Sequence, residues 1–180
     1  METEIRIRAL ISRLARLDAT QAWEGQLNPT QRQVIDYLSR ANRFSRGPSQ
    51  VADYLATTRG TVSQTLKSLS GKGYVTEHRS IKDKRAISFD LTKKGEAIAL
   101  QQNATAKALA NMDTETQHAL LSSLDQFLIG VLRENGGRAF GLCRDCMHFD
   151  ARNPGGRCRL LDENLSAHET NQICHEQETV

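Results

Sequence analysis

Four cysteines, Cys143, Cys146, Cys158 and Cys174, are the only ones in this 180-residue sequence, and all fall near its C-terminal end. Their spacing is C-x2-C-x11-C-x15-C. Thiolates are soft anionic donors, and four in one short segment can fill the coordination sphere of a metal centre. No signal peptide, lipidation motif or long apolar run is visible, so the chain is expected to stay in the cytoplasm, where structural disulfides have little use. Metal is therefore the first reading. Structural zinc usually takes two close cysteine pairs. Here only Cys143 and Cys146 are close, while Cys158 and Cys174 stand alone. Single cysteines scattered after one pair suit an iron–sulfur cluster, whose several iron atoms set the ligands apart in space. Zinc is the alternative cofactor, and reversible disulfides among the four thiols are the non-metal reading.

The surroundings of the cysteines fit the same chemistry. Phe140, Leu142, Met147, Phe149, Leu160, Leu161 and Ile173 are apolar, and an apolar wrap limits water at sulfur and tunes potential. His148 and His175 adjoin cysteines and can stand behind a thiolate as donors or replace one. Arg144, Arg157 and Arg159 are candidates to offset the charge of a thiolate-bound cluster. A segment this short has too small a core to fold alone, and bound metal could supply the missing free energy. Gly141 and Pro154-Gly155-Gly156 would let the backbone turn around a central object.

The rest of the chain must position this segment, and it has a chemistry of its own. Residues 48–91 are expected to form two short helices followed by a basic β-hairpin, the outline of a winged helix. In the second helix, about residues 58–72, Val62, Leu66 and Leu69 make an apolar stripe at i, i+4, i+7. Arg59, Thr61, Ser63, Gln64 and Lys67 point elsewhere, and all can hydrogen-bond or attract phosphate, as a major-groove reader requires. Gly71-Lys72-Gly73 ends the helix. Residues 74–79 and 86–91 are strand-like, the second with Ile87, Phe89 and Leu91 on one side. Between them the turn Lys82-Asp83-Lys84-Arg85 can straddle a phosphate backbone and push a guanidinium into a minor groove. Asp83 is expected to orient Arg85. Charge divides accordingly: residues 1–95 hold 17 Lys and Arg against 9 Asp and Glu, and residues 96–180 hold 7 against 12, giving +8 and −5 and the overall +3. Polyanion contact is expected at the front only.

Leu27-Asn28-Pro29-Thr30-Gln31, Ser49-Gln50-Val51-Ala52-Asp53-Tyr54-Leu55 and the run from Thr61 through Leu69 resemble the MarR family of regulators. So do Lys72-Gly73-Tyr74-Val75, Asp83-Lys84-Arg85 and Leu91-Thr92-Lys93-Lys94-Gly95. The resemblance covers about residues 5–135. It implies a homodimer of winged-helix subunits acting on a two-fold-symmetric DNA operator, most often as a repressor. It also implies Arg85 as the minor-groove residue and the helix of residues 58–67 as the major-groove reader. Beyond it, Cys-x-x-Cys-x-His-Phe, a later Gly-x-Cys and a final Cys are similar to small cluster-binding modules related to high-potential iron–sulfur proteins.

The flanking segments are expected to form dimer helices. Leu10, Leu14 and Leu17, joined by Ile7 and Ile11, give the first a stripe. Asn28-Pro29-Thr30-Gln31 starts the second helix, with Val34, Ile35 and Leu38 on its inner face. Residues 95–111 are Ala-rich and expected to be helical, and Asp113 or Thr114 starts a last helix. There Leu120, Leu124, Phe127, Leu128 and Val131, widened by Leu121, Ile129 and Leu132, make an apolar face broader than one core contact needs. The fold class expected is mainly α with a small β-wing. Its parts are an N-terminal dimer helix (1–27), a winged helix-turn-helix (28–94), C-terminal dimer helices (95–135) and a cysteine-rich extension (136–180).

Three functions follow. The first is a DNA-binding regulator, not an enzyme, whose affinity is set by an iron–sulfur site; a bias on the spacing of the reader helices would pass through the last dimer helix, where the extension begins. The second keeps the DNA reader, with a small aromatic effector as inducer and the cysteines holding inert zinc. The third is an iron–sulfur electron-transfer or accessory protein. Against this last one, no nucleophile–base pair, phosphate loop or paired carboxylates are visible.

Overall fold

The computed structural model describes residues 2–21, 27–79 and 87–178. Helix α1 (Glu2–Gln21) leads to α2 (Pro29–Arg40). The start of α2 is the capping box expected from its sequence: Asn28 Oδ1 accepts from the Gln31 N–H (2.8 Å), and Gln31 Oε1 accepts from the Asn28 N–H (3.2 Å). Two shorter elements follow, α3 (Pro48–Tyr54) and α4 (Arg59–Gly71), the latter capped by Thr58, whose hydroxyl accepts from the Thr61 N–H at 3.1 Å. Strands β1 (Val75–Arg79) and β2 (Ile87–Leu91) form an antiparallel pair running from Val75 opposite Leu91 to Arg79 opposite Ile87.

One core joins these elements. Val62, Leu66 and Leu69 of α4 are fully buried, as their spacing requires, against Val34, Ile35 and Leu38 of α2, Val51 of α3 and Phe89 of β2. Ile87 and Leu91 lie half-buried on the same side of the hairpin as Phe89. The arrangement is a winged helix, and the architecture is mainly helical with a small antiparallel wing.

The Ala-rich stretch departs from its expected single helix over residues 95–111. It forms two: α5 (Lys93–Ala99) and α6 (Ala104–Ala110). Thr92 caps α5, placing its start two residues before Gly95. Asn103 opens α6 by accepting from the Ala106 N–H (2.7 Å), because an Asn side chain caps a helix better than it continues one. A tertiary bond holds the break, from the Arg32 guanidinium to the Gln101 carbonyl (3.1 Å). Asp113 then caps α7 (Thr114–Asn135), which ends at Gly136.

Helices α1 and α7 behave differently from the core. No residue of α7 is buried, and Leu121, Leu124, Phe127, Leu128, Ile129 and Val131 are all exposed. Ile5, Ile7, Leu10, Leu14 and Leu17 of α1 are exposed as well. Burial of α7 inside a monomeric core is thus excluded for the single chain. No helix among the described residues is long and apolar enough to cross a membrane.

The last segment folds into two small sheets. Strand β3 (Gly141–Leu142) pairs with β7 (Ile173–Cys174), and β4 (Phe149–Ala151), β5 (Gly156–Cys158) and β6 (Glu163–Leu165) form an antiparallel three-stranded sheet in that order. This unit leans on the main core: Ile173 belongs to it, and Phe140 packs edge-on against the rings of Tyr37 and Tyr54.

Gly95 is the closest backbone approach in the winged helix. A Cβ there would sit 2.3 Å from the Tyr74 carbonyl oxygen. Alanine normally favours a helix over glycine by roughly 1 kcal/mol, but a carbonyl held in the core cannot yield cheaply, and forced overpacking costs about 1–3 kcal/mol. Gly95→Ala is expected to lower the urea midpoint with an unchanged slope; a raised midpoint would show that the hairpin can shift away.

Candidate functional site

Helix α4 carries the first candidate site. Its buried stripe fixes its roll, which leaves Arg59, Thr61, Ser63, Gln64 and Lys67 on the exposed side. The Thr61 hydroxyl lies 2.9 Å from that of Thr58 at the helix start. The side chains of Arg59, Ser63, Gln64 and Lys67 form no hydrogen bond or ion pair with a described residue, so two cations, an amide and a hydroxyl are held on a rigid element with their polar groups in water. The wing turn Lys82-Asp83-Lys84-Arg85 lies outside the described residues, and so does the expected Asp83–Arg85 contact.

The cysteine segment carries the second. Cys143 begins a 3-10 turn just after β3, and Cys146 closes it, its N–H bonding the Cys143 carbonyl at 3.2 Å. Cys158 ends β5, opposite Phe149 and Glu163. Cys174 ends β7, opposite Gly141. All four are free thiols. Three separate backbone segments bring them to the wall of one cavity, completed by Phe149, Leu160, Leu165, His148 and Glu176. The hollow they line is about 280 Å³ with the open solvent at its mouth included, of which about 20 Å³ admits the centre of a water. Among the described residues no three His, Cys, Asp or Glu side chains converge on a point that would hold a single ion.

Two of the thiols interact directly. A hydrogen bond from Cys143 pulls Cys174 below the ordinary thiol range, and the same bond, with burial, pushes Cys143 up. The Asn42 amide favours the thiolate form at both.

The cage is fastened to the loop between α2 and α3. Ala41 and Ile173 form a parallel bridge, and the Asn42 N–H donates to the Ile173 carbonyl (2.9 Å). The Asn42 side chain, fully buried, donates from Nδ2 to Cys143 Sγ (3.2 Å) and accepts at Oδ1 from the Phe44 N–H (3.0 Å) and the Ser45 hydroxyl (2.7 Å). Ser45 Oγ in turn accepts from the His175 N–H (3.0 Å), and Tyr37 donates to the Ser45 carbonyl (2.6 Å). At the rim the Arg43 guanidinium binds Glu169, Glu163 and the Asn164 carbonyl.

The extension, which follows on from α7 in the chain, therefore also meets the winged helix at this loop. His148 lines the cavity and pairs with Glu178 at 3.3 Å, whereas His175 faces Ser45 and Gln50. Arg144, Arg157 and Arg159 do not line the cavity; they bind Asn171, Asp162 and the Met147 carbonyl. Sequence reasoning missed Asn42, Ser45 and Glu176. Asn42 lies about a hundred residues from its sulfur partner, and a lone Asn in a polar loop carries no signal.

Residues 26–86 match the model of the MarR family. No curated protein matches the chain significantly. Solved structures do. The Streptococcus pneumoniae FabT–DNA complex is 25% identical, with 72% of this chain and 97% of that one covered at a TM-score of 0.56. A MarR transcriptional regulator from Methanosarcina mazei is 20% identical, covering 74% and 99%, at 0.56. The S. aureus MepR–DNA complex is 16% identical, covering 72% and 97%, at 0.55. These likenesses show the winged-helix fold that the MarR family model and these structures share. Over a quarter of this chain has no counterpart in them.

Glu169 tests how the extension is held. Burial raises its carboxyl, but hydrogen bonds from Ser166 and the Arg43 guanidinium outweigh that and keep it below the usual carboxylate range. A depressed carboxyl stabilises the fold above its unfolded value, near 4.3, and that contribution fades as pH falls through the lower folded value. Backbone amides of residues 41–45 are expected to lose protection against hydrogen exchange below about pH 4. Glu169→Gln should abolish this pH dependence at a cost of roughly 1 kcal/mol or less, since Arg43 is well exposed. Protection that still falls on acidification in the variant would place the acid-sensitive group elsewhere.

Proposed function

We propose that this protein is a MarR-family transcription regulator that grips operator DNA as a homodimer, with its affinity set by an iron–sulfur cluster held by Cys143, Cys146, Cys158 and Cys174. The observation that carries the DNA reading is α4. Its buried stripe locks it to the core, and its opposite face presents Arg59, Gln64 and Lys67 to solvent. The likeness to FabT and MepR, both solved with DNA, supports the same assignment.

Dimerisation rests on the apolar faces of α1 and α7. Leaving a Leu or Phe side chain in water forgoes roughly 1.5–3 kcal/mol, and these helices expose many of them. A second copy offers the same two faces, and two-fold symmetry is what an operator reader of this architecture uses.

The cluster is supported over zinc by the cage. The four thiols line one hollow walled by Phe149, Leu160 and Leu165, an apolar surround that limits water at sulfur as a cluster requires. A cluster there would supply redox and iron-dependent chemistry, and the chain's residues would bind it and limit water around it.

Two experiments test the reading. Arg59→Ala and Lys67→Ala are each expected to weaken binding to a selected duplex, with the salt slope shallower by about 0.9 for each phosphate no longer neutralised; Gln64→Ala should instead relax base preference by about 1–3 kcal/mol. Unchanged retention in the Arg59/Lys67 double variant would reject α4 as the reader. Protein purified without oxygen is expected to be coloured and to contain iron and acid-labile sulfide. Stoichiometric zinc in colourless protein would return the cage to a structural role and favour a small-molecule inducer.

A further inference from the structure

We propose that Asn42 is the residue through which the DNA-binding half senses the state of the cysteine cage, an inference that rests on the regulatory reading above. Among the described residues it is the only side chain of the winged helix that hydrogen-bonds a cysteine. It is also fully buried, and every polar group of its side chain is used. Its amide cannot flip, because Oδ1 already holds the Phe44 N–H and the Ser45 hydroxyl, and a reversed amide would lose both and set oxygen against sulfur. One end of the amide is thus bound to a ligand thiol and the other to the turn of residues 42–45.

That turn adjoins two elements packed around α4, the helix α3 and the wing strand β2. Just beyond it, Pro48 begins α3, which packs on α4 through Val51 and Ala52. The Arg46 carbonyl accepts from the Phe89 N–H (3.1 Å), and the Arg46 guanidinium binds Asp90, so the same loop holds the wing strand β2. Gln50 of α3 reaches His175, next to Cys174 (3.5 Å). A hydrogen bond to an anionic sulfur is stronger than one to a thiol, and a sulfur that shares its charge with metal lies between these limits. Filling or emptying the cage therefore changes the pull on Nδ2, and the rigid amide passes that change to the turn and on to α3 and β2.

The test uses the full chain and two variants. Asn42→Asp keeps the acceptor for Phe44 and Ser45 but removes the donor to sulfur. Asn42→Ser is too short to reach Cys143 and adds no buried charge; it carries the measurement if the Asp variant does not fold. Each protein is compared after anaerobic reconstitution with ferrous iron and sulfide and after stripping with a chelator. The readouts are the midpoint potential and the affinity, at one salt concentration, for a duplex that the parent selects from a random-sequence pool. The parent is expected to change affinity tenfold or more between the two states. The variants should still load iron and still bind DNA when stripped, with the loaded-to-stripped ratio reduced to within twofold and the potential shifted. Variants that keep the parent's ratio and potential would overturn the role of Asn42 while leaving the regulator intact. A parent that takes up no iron, or binds DNA equally in both states, would overturn the cluster-controlled reading itself and this inference with it.

Discussion

The buried hydrogen bonds of the α2–α3 loop hold this molecule together as one unit. The cysteine segment has little apolar mass of its own, with Leu165, Cys143 and Cys174 as the centre of a small cluster. It is ordered by attachment: Ile173 enters the main core, the Ala41–Ile173 bridge pairs a strand with the loop, and Asn42 satisfies a backbone amide of the loop and a buried thiol together. Removing a partner from such a network costs more than a surface contact, because each buried polar group left unpaired forfeits its hydration. Among the described side chains no buried nitrogen or oxygen lacks a partner.

This attachment changes what kind of appendage the segment is. A tail tethered only at the end of α7 would act on the winged helix through the dimer helices. A unit seated on the α2–α3 loop touches the winged helix at its root, a few residues before α3. Helices α1 and α7 remain free to do a separate job. Their apolar faces are exposed in the single chain while the winged-helix core is closed, so the proposed dimer and the proposed cysteine control use different surfaces.

Much of this is legible in the sequence because the signals are local. The capping box at Asn28 and Gln31, the stripe of Val62, Leu66 and Leu69, and the alternation of Ile87, Phe89 and Leu91 each depend on spacing within a few residues, and each element forms as that spacing requires. The Ala-rich stretch departs from expectation for an equally local reason: composition favours one helix, but Asn103 is a better cap than a helix interior residue, and a bond from Arg32 fixes the break. The wing turn that carries Lys82, Asp83, Lys84 and Arg85 lies outside the described residues.

By itself the sequence determined which residues of α4 face away from the core, where most helices and strands start, and that four thiols stand in one segment. Those properties follow from residue type and short-range periodicity. Only the tertiary structure decided that the thiols line a cavity, that Arg144, Arg157 and Arg159 are engaged elsewhere, and that Asn42 joins the cage to the α2–α3 loop. The reason is physical: a contact across about a hundred residues depends on how two closed surfaces meet, and a chain encodes that meeting in its packing as a whole, not in the spacing of any one motif.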